Sequence, residues 1–274
     1  MDITEKSKIP LEILVSTMNR VTLDFLFKMF QNNNLNKYQI LVINQTTENN
    51  LLHSDYDNIR VINSFQKGLS RSRNLAIENA VGDICLLADD DVIYLKDFES
   101  HIINIHKKLS DADVITFKTL TPTKEPYSNY PNNIKPLGKF YKKVLSIEIS
   151  FVRKSFSTHS IQFDEMFGLG SDFEDGENRI LFKEIQSKGL KAYFVPEFIV
   201  IHEQFNSSSE VTSDRFIFAR GALNYKLYGI YAYVYITKLI FSIFRKRLIN
   251  FKDISSKFNM GLKGINAYKK SVNG

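Results

Sequence analysis

Short apolar runs rich in isoleucine, leucine and valine alternate with amphipathic segments along most of the chain, and polar stretches separate them. The apolar runs predict strands at 12–17, 38–44, 59–63, 84–88, 114–117, 147–152, 191–195 and 198–201. Apolar residues at helical spacing predict helices at 21–30, 70–80, 98–109 and 177–188. Strands that alternate with helices favour an α/β fold whose parallel strands are joined by right-handed crossovers.

Three consecutive carboxylates, Asp89, Asp90 and Asp91, follow the almost uniformly apolar strand at 84–88. Such a strand is typical of the buried centre of a parallel sheet, and ligands bind beyond the carboxyl ends of these strands. Neighbouring carboxylates repel one another unless a cation neutralises them, and oxygen ligands suit Mg²⁺ and Mn²⁺. The cluster predicts a metal site that bridges phosphate oxygens, and the alternative for the same residues is a solvated acidic turn.

Two enzyme chemistries use a cluster of this kind. One is metal-assisted transfer of a group from a nucleotide-activated donor. The other is Mg²⁺-dependent phosphoryl transfer in the style of the haloacid dehalogenases, with Asp89 as the nucleophile and Asp91 as the acid. In that style the Asp-x-Asp strand usually opens the fold, whereas three strand units precede it here. A phosphotransferase or phosphatase is therefore kept as the alternative enzyme class.

The segment 67–91, KGLSRSRNLAIENAVGDICLLADDD, resembles the centre of the inverting family-two glycosyltransferases with a GT-A fold. Members carry a Gly-x-Ser-x-x-Arg-Asn helix, a Gly-Asp turn, an apolar strand and an Asp-x-Asp in that order. The resemblance extends to 167–203 and to 218–229, so it covers about residues 11–229. It implies a nucleotide-diphospho-sugar transferase fold, a mixed and mostly parallel sheet flanked by helices, with a helical C-terminal extension.

The same resemblance implies a hexosyltransferase that moves a sugar with inversion from a nucleoside diphosphate donor, expected to be a UDP-sugar. The acceptor would be a glycan or a lipid-linked molecule, the cofactor Mn²⁺ or Mg²⁺, and the setting the synthesis of a surface polysaccharide. A non-catalytic relative that binds the sugar nucleotide is the alternative outside enzyme function.

Several donor-binding residues follow from the resemblance. It implies that Thr17 and Arg73 hold the nucleotide base, that Asp89 contacts the ribose, and that Asp90 lies on the donor side. Many members have an acidic residue for the uracil ring after the second strand. This chain has Asn44 there, and an amide can still bind the edge of a base.

The resemblance also implies a metal site. Asp91 would bind the metal on the diphosphate, and His202, which follows the strand at 198–201, stands where many members have a histidine near the metal or the diphosphate. A histidine at a strand end is also compatible with a purely structural role.

The general base is where this chain departs from the family. Members usually place it in a Glu-Asp or Glu-Glu pair, with the second acid eleven positions before the glycine that ends the next helix. Counting back from Gly189 gives Asn178, and an amide cannot remove a proton. Glu177 is the first candidate for the base and Asp175 the second. The alternative is that these acids only stabilise the start of the helix.

Composition adds a local basic region to this picture. The formal net charge is +6, and no acidic residue occurs from 215 to 252. Tyrosines and phenylalanines lie among the cations of this region, a makeup typical of an interfacial helix on anionic lipid. The alternative is a C-terminal helix packed on the domain. The basic cluster is short and lies away from the acidic site, so no nucleic-acid partner is expected.

The chain is expected to comprise a catalytic domain at 1–215, with a nucleotide-binding part at about 1–118 and an acceptor part at about 119–215, and a basic, aromatic extension at 216–274. The apolar run at 229–244 has sixteen residues and is shorter than the roughly 20 that span a bilayer. With one cysteine, Cys85, the chain offers neither a disulfide framework nor a site with paired thiolates. We expect a cytoplasmic protein, peripheral at the inner face of the cell membrane.

Overall fold

The computed structural model describes residues 10–203 and 210–273 of the 274-residue chain. In this part of the chain the strands are β1 (Leu11–Met18), β2 (Gln39–Gln45), β3 (Ile59–Ser64), β4 (Ile84–Asp89), β5 (Ile93–Tyr94), β6 (Val114–Leu120), β7 (Lys135–Pro136), β8 (Ile149–Val152) and β9 (Ala192–Ile201). The α-helices are α1 (Asp24–Met29), α2 (Leu69–Asn79), α3 (Phe98–Lys108), α4 (Arg153–His159), α5 (Glu177–Ser187), α6 (Asp214–Tyr228), α7 (Ala232–Arg245) and α8 (Ile254–Asn273).

The chain divides into two compact units. The first comprises Met1–Lys67, Arg71–Phe163 and Leu181–Glu203, and it contains the whole sheet. The second comprises Gly68–Ser70, Asp164–Ile180 and Gln204–Gly274. In the second unit, therefore, the C-terminal helices share a compact body with the acidic loop before α5. The domain boundary at about 215 stays a prediction.

The strands form one mixed sheet in the order β3-β2-β1-β4-β8-β6-β9-β5, and β7 pairs with β9. The strands β1 to β4 run parallel, whereas β8 is antiparallel to both of its neighbours. The register sets Thr17 beside Asn44, and Ser16 beside Asp89. The carboxyl ends of β1, β2 and β4 therefore meet at one edge of the sheet, which is where ligands bind in open α/β folds.

Both faces of the central strands are buried. Alternate residues of β1 belong to two different hydrophobic clusters: Ile13 and Val15 to one, Leu14 to the other. The same alternation holds in β4, where Leu86 and Leu87 belong to different clusters. Successive side chains of a strand point to opposite faces, so a strand covered on both sides must be apolar throughout. This burial explains the continuous apolar runs in the sequence.

The structure joins two predicted strands into one and shortens one predicted helix. The strands expected at 191–195 and 198–201 are one strand, β9, which continues through Pro196. The pairing of β9 with β6 shifts register between Thr116 and Lys118, opposite that proline, so the missing N–H falls at an irregularity in the ladder. The helix expected at 21–30 is shorter and begins only at Asp24.

Within the second unit, α8 packs closely against α6 through glycines. A Cβ on Gly221 would lie 2.1 Å from the carbonyl oxygen of Gly261, and one on Gly264 would lie 1.9 Å from that of Phe218. No side chain fits at such distances, so this close approach of the two helices requires glycine at 221 and at 264. Buried residues of all three C-terminal helices, including Ile217, form one hydrophobic cluster.

Candidate active site

Asp89, the last residue of β4, pairs with a buried arginine. The Arg73 side chain, on α2, is 3% exposed, and its Nη2 donates to Asp89 Oδ1 at 3.0 Å and to Ser146 Oγ at 2.6 Å. The guanidinium also lies 5.4 Å from the ring centroid of Phe163. A buried charge requires a partner. Arg73 therefore fixes the position of a carboxylate that is itself partly exposed at the edge of the sheet.

Asp90 joins the ends of two strands. Its Oδ2 accepts a hydrogen bond from Thr17 Oγ1 at 2.5 Å and lies 2.7 Å from Nη2 of Arg20. Arg20 is not among the site residues predicted from the sequence. The sequence signal that could have identified it is a cation just after β1, at the edge where β4 ends in carboxylates. Its side chain is partly exposed. A fixed, exposed guanidinium at this edge is suited to bind an anionic ligand.

Asn44 is fully buried, and its amide is hydrogen-bonded to the protein. Its Oδ1 accepts from the backbone N–H of Arg20, and its Nδ2 donates to the Arg20 carbonyl and to Asn63 Oδ1, each at 3.0 Å. The structure thus places Asn44 as the residue that fixes the backbone of Arg20. Direct contact of Asn44 with a nucleotide base stays a prediction.

Asp91 faces outward and meets His202 at the end of β9. The Asp91 side chain is 55% exposed, and its Oδ1 lies 3.3 Å from Nε2 of His202. The hydrogen bond with His202 lowers the pKa of Asp91 despite the opposing effect of burial. Burial lowers the pKa of His202, but the hydrogen bond and the charge of Asp91 outweigh it, and the net shift is upward. The ring of Tyr127 packs against His202 with centroids 6.0 Å apart.

A divalent metal fits this pair only if a ligand completes its coordination. Among residues 10–203 and 210–273, no group of three or more His, Cys, Asp or Glu side chains is arranged to hold a metal ion. Asp91 and His202 together offer one carboxylate and one imidazole. Mg²⁺ is commonly held by one or two carboxylates together with substrate phosphates. The donor set therefore suits a metal that arrives with a diphosphate, and the assignment of Asp91 and His202 as its ligands stays a prediction.

The second unit contains both candidates for the general base. Asp175 forms an ion pair with Arg220 of α6, in which Oδ2 lies 2.5 Å from Nε. Burial raises the pKa of Asp175, although Arg220 and Arg179 oppose the shift. The raised pKa of Asp175 favours uptake of a proton, but the carboxylate that would take up this proton is also the partner of Arg220 in an ion pair.

Glu177 begins α5 and is half-buried. The preceding Gly176 has φ +92°, and a Cβ there would lie 2.5 Å from Cδ2 of Leu223. Both the backbone conformation and the packing therefore require glycine, which fixes the direction in which the chain enters the helix. The N-terminus of a helix favours a negative charge, and Glu177 occupies the first turn of α5.

Part of the basic region predicted to face an anionic surface forms ion pairs within the second unit instead. Arg215 pairs with Glu174 at 2.9 Å, and Lys226 with Asp164 at 2.8 Å. Together with the Arg220–Asp175 pair, these contacts bind α6 to the loop before α5. The first three cations of the basic region are therefore neutralised within the second unit, and an anionic surface as the partner of this region stays a prediction.

A buried carboxyl group that lies outside the sequence predictions is Glu148. Its Oε1 accepts hydrogen bonds from the hydroxyls of Tyr130, at 2.5 Å, and Thr119, at 2.9 Å. Its Oε2 accepts from the N–H of Leu145. Burial raises the pKa of Glu148 to about 7, although these hydrogen bonds lower it. Because Tyr130 lies in the long connection between β6 and β8, Glu148 ties that connection to the sheet.

Glu148 is expected to make stability fall as pH rises from about 4.5 to about 7. In this window the folded state binds more protons than the unfolded chain, so the stabilisation present below the unfolded pKa is lost as the folded pKa is passed. The effect is on the order of 3 kcal/mol. Glu148→Gln, which mimics the protonated group, should flatten this part of the pH profile in urea unfolding. A variant with the wild-type profile would refute this assignment.

Comparison with known proteins supports the sequence resemblance. The sequence model described as Glycosyl transferase family 2 matches residues 13–164, more than half of the chain. No curated protein matches this chain.

Crystal structures of TarS from S. aureus have a similar fold. The 1–349 form in complex with UDP-GlcNAc superposes with a TM-score of 0.57 and 12% identity, over 96% of this chain and 92% of that one. The 1–349 form in complex with UDP superposes with a TM-score of 0.54 and 14% identity, over 91% of this chain and 80% of that one. A longer TarS chain superposes with a TM-score of 0.54 and 14% identity over 86% of this chain. The matched region spans 43% of that TarS chain. At these identities the likeness concerns the fold.

Proposed function

Because the chain belongs to glycosyl transferase family 2 and has the GT-A fold, we propose that it transfers a sugar from a UDP-sugar with inversion. The acceptor in this proposal is a glycan or a lipid-linked molecule, and the setting is the synthesis of a surface polysaccharide. The family and the fold predicted from the sequence are confirmed. UDP as the donor nucleotide is supported by the TarS structures with UDP-GlcNAc and UDP.

The arrangement of Asp89, Asp91 and His202 at one edge of the sheet is the observation that carries the proposal. Arg73 orients Asp89 toward the donor, and Asp91 and His202 would hold Mn²⁺ or Mg²⁺. Such a cation, when bound with the diphosphate, neutralises the charge that develops on the leaving group. Arg20, held by Asp90 and Thr17, adds a positive charge on the same edge.

Inversion requires one carboxylate that removes the proton from the acceptor hydroxyl as the new bond forms. Glu177 is our first candidate and Asp175 the second. Asn178 occupies the position that usually holds the base. This favours one other function, the binding of a sugar nucleotide without transfer of the sugar. The family match favours sugar transfer over the phosphotransferase alternative.

UDP is expected to raise the melting temperature only when Mn²⁺ or Mg²⁺ is present, since Asp89 and Asp91 repel a diphosphate unless a metal intervenes. A ligand at a hundred times its Kd stabilises the folded state by about 3 kcal/mol. Asp91→Ala should lose this shift, and Asp57→Ala, a change at an exposed acid in the first unit, should retain it. Equal stabilisation in EDTA would contradict the metal site. No stabilisation by any nucleoside diphosphate would contradict donor binding altogether.

A further inference from the structure

The helix α7 has one buried face and one exposed face. The buried face consists of small and branched apolar residues: Ala232, Ile236, Ile240 and Ile243. The exposed face combines large apolar residues with cations: Val234, Tyr235, Lys238, Phe241 and Arg245. Phe241 is 63% exposed. The helix is therefore apolar on both sides, but only its outer side carries charge.

The outer face continues into the segments on either side of α7. Ile230 and Tyr231 precede the helix, and both are largely exposed. After the helix come exposed cations and two further exposed apolar residues: Lys246, Arg247, Leu248, Phe251 and Lys252. Phe251 is 79% exposed. We call residues 230–231, the outer face of α7 and 246–252 the outer surface.

The charge on the outer surface is of one sign. From residue 215 to the end of the chain, Asp253 is the single acidic residue. Arg215, Arg220 and Lys226 are used in ion pairs. Within the described residues, the cations of the outer surface form no such pair with a carboxylate. Exposed aromatic and apolar side chains among unpaired cations complement an anionic lipid surface, because the apolar groups enter the headgroup boundary and the cations remain at the phosphates.

Insertion across a bilayer is the competing arrangement, because Asp214–Arg245 has the length and the apolar composition of a membrane-spanning helix. In the most apolar part of that stretch, 22% of the residues are buried in the protein. The stretch is not one straight helix, however. Gly229, with φ +55°, ends α6, and α7 begins at Ala232 after a short 3₁₀ turn.

Two observations argue against spanning. A spanning α6 would have to break its ion pairs with Glu174, Asp175 and Asp164. The 14 residues of α7 extend about 21 Å, whereas the hydrocarbon core is about 30 Å thick. Helix α7 is thus too short to cross alone, and α6 is bound to the protein.

We propose that the outer surface docks on an anionic bilayer, with α7 lying in the plane of the headgroups. The inference goes beyond the proposed transfer reaction and does not depend on it, since membrane binding is measured without donor or acceptor. It predicts that the protein binds vesicles of phosphatidylcholine with phosphatidylglycerol and does not bind vesicles of phosphatidylcholine alone. High salt should weaken the binding.

Flotation of the full chain with these vesicles tests the proposal. Lys238→Gln with Arg245→Gln should weaken binding about 25-fold, since each cation near an anionic surface contributes about fivefold. The matched control is Lys107→Gln with Lys108→Gln, two exposed lysines of α3, which should bind as wild type does. Phe241→Ser should weaken binding about tenfold, whereas Phe27→Ser, at an exposed phenylalanine of α1, should not. Circular dichroism of each variant checks that it is folded.

Three results would overturn the proposal. Equal binding to neutral and anionic vesicles would remove the role of charge. Protein that resists extraction by alkaline carbonate would indicate a spanning helix. A dimer that Phe241→Ser converts to monomers, without vesicle binding, would show that a second copy covers the surface. Weaker vesicle binding in Lys238→Gln with Arg245→Gln and in Phe241→Ser, but in neither control variant and with UDP binding unchanged, would support it.

Discussion

Asp91→Ala is expected to lower the rate of sugar transfer by at least about 10³-fold while the protein stays folded. Asp91 is the exposed carboxylate of the cluster and the partner of His202. Without it, the leaving diphosphate loses the group that we propose to hold its metal. Because more than half of the side chain is exposed, its removal should leave the melting temperature nearly unchanged and relieve repulsion with Asp89 and Asp90.

The rate is measured as UDP released from a UDP-sugar, with Asp57→Ala as the matched control. Asp57 is an exposed acid of the same unit that lies in a turn before β3. Its removal should leave the rate unchanged. Full activity of Asp91→Ala would exclude the assignment of Asp91 as the metal ligand. Reduced activity in both variants would point to a general effect of net charge.

Glu177→Gln is expected to slow turnover by about 10² to 10⁴, the usual effect of removing a positioned general base. Affinity for UDP should change little, because the predicted donor residues belong to the first unit, whereas Glu177 belongs to the second. The measurement is kcat at saturating donor, together with the Kd for UDP. A variant with unchanged kcat would exclude Glu177 as the base.

Asp175→Asn requires a second variant for its interpretation. The substitution leaves Arg220 without its charged partner, so it can lower activity through stability alone. Arg220→Gln breaks the same ion pair and keeps the carboxylate. If Asp175 is the base, Asp175→Asn should slow turnover far more than Arg220→Gln does. Equal losses would show that the ion pair has a structural role, which is the result we expect if Glu177 is the base.

The centre of the sheet could be predicted from the sequence because its strands are buried on both faces. The runs at 12–17, 38–44 and 84–88 have continuous apolar centres, and each is a strand within a residue or two of the predicted bounds. The acidic cluster could be placed for the same reason, since residues that follow buried parallel strands must meet at one edge. The register that sets Ser16 beside Asp89 agrees with this expectation.

The partners of the site residues could not be predicted, because they depend on long-range geometry. Arg20 and Asp90 are 70 positions apart, and Arg220 and Asp175 are 45 apart. Local patterns show that each residue is charged but not which residue lies opposite. The basic region illustrates the consequence. Its composition indicated an anionic surface as the partner, whereas in the structure three cations of α6 form ion pairs with carboxylates of the second unit. Within the described residues, the cations of α7 and of 246–252 form none.

The continuation of β9 through Pro196 could not be predicted for a related reason. Pro196 lacks an N–H, so the local pattern predicts a break between two strands. In the structure it lies where the ladder with β6 changes register, and the strand continues to the residue before His202. The position of His202 therefore depends on a pairing with β6 that the local sequence does not encode.

The most direct test of the proposed reaction is the release of UDP from UDP-GlcNAc and other UDP-sugars by the purified 274-residue chain with Mn²⁺, followed by mass spectrometry. We predict UDP from at least one UDP-sugar in the wild-type protein, none above background in Asp91→Ala, and none in EDTA. Binding of UDP without its release from any UDP-sugar, with candidate acceptors present, would contradict the transferase assignment and favour a non-catalytic relative.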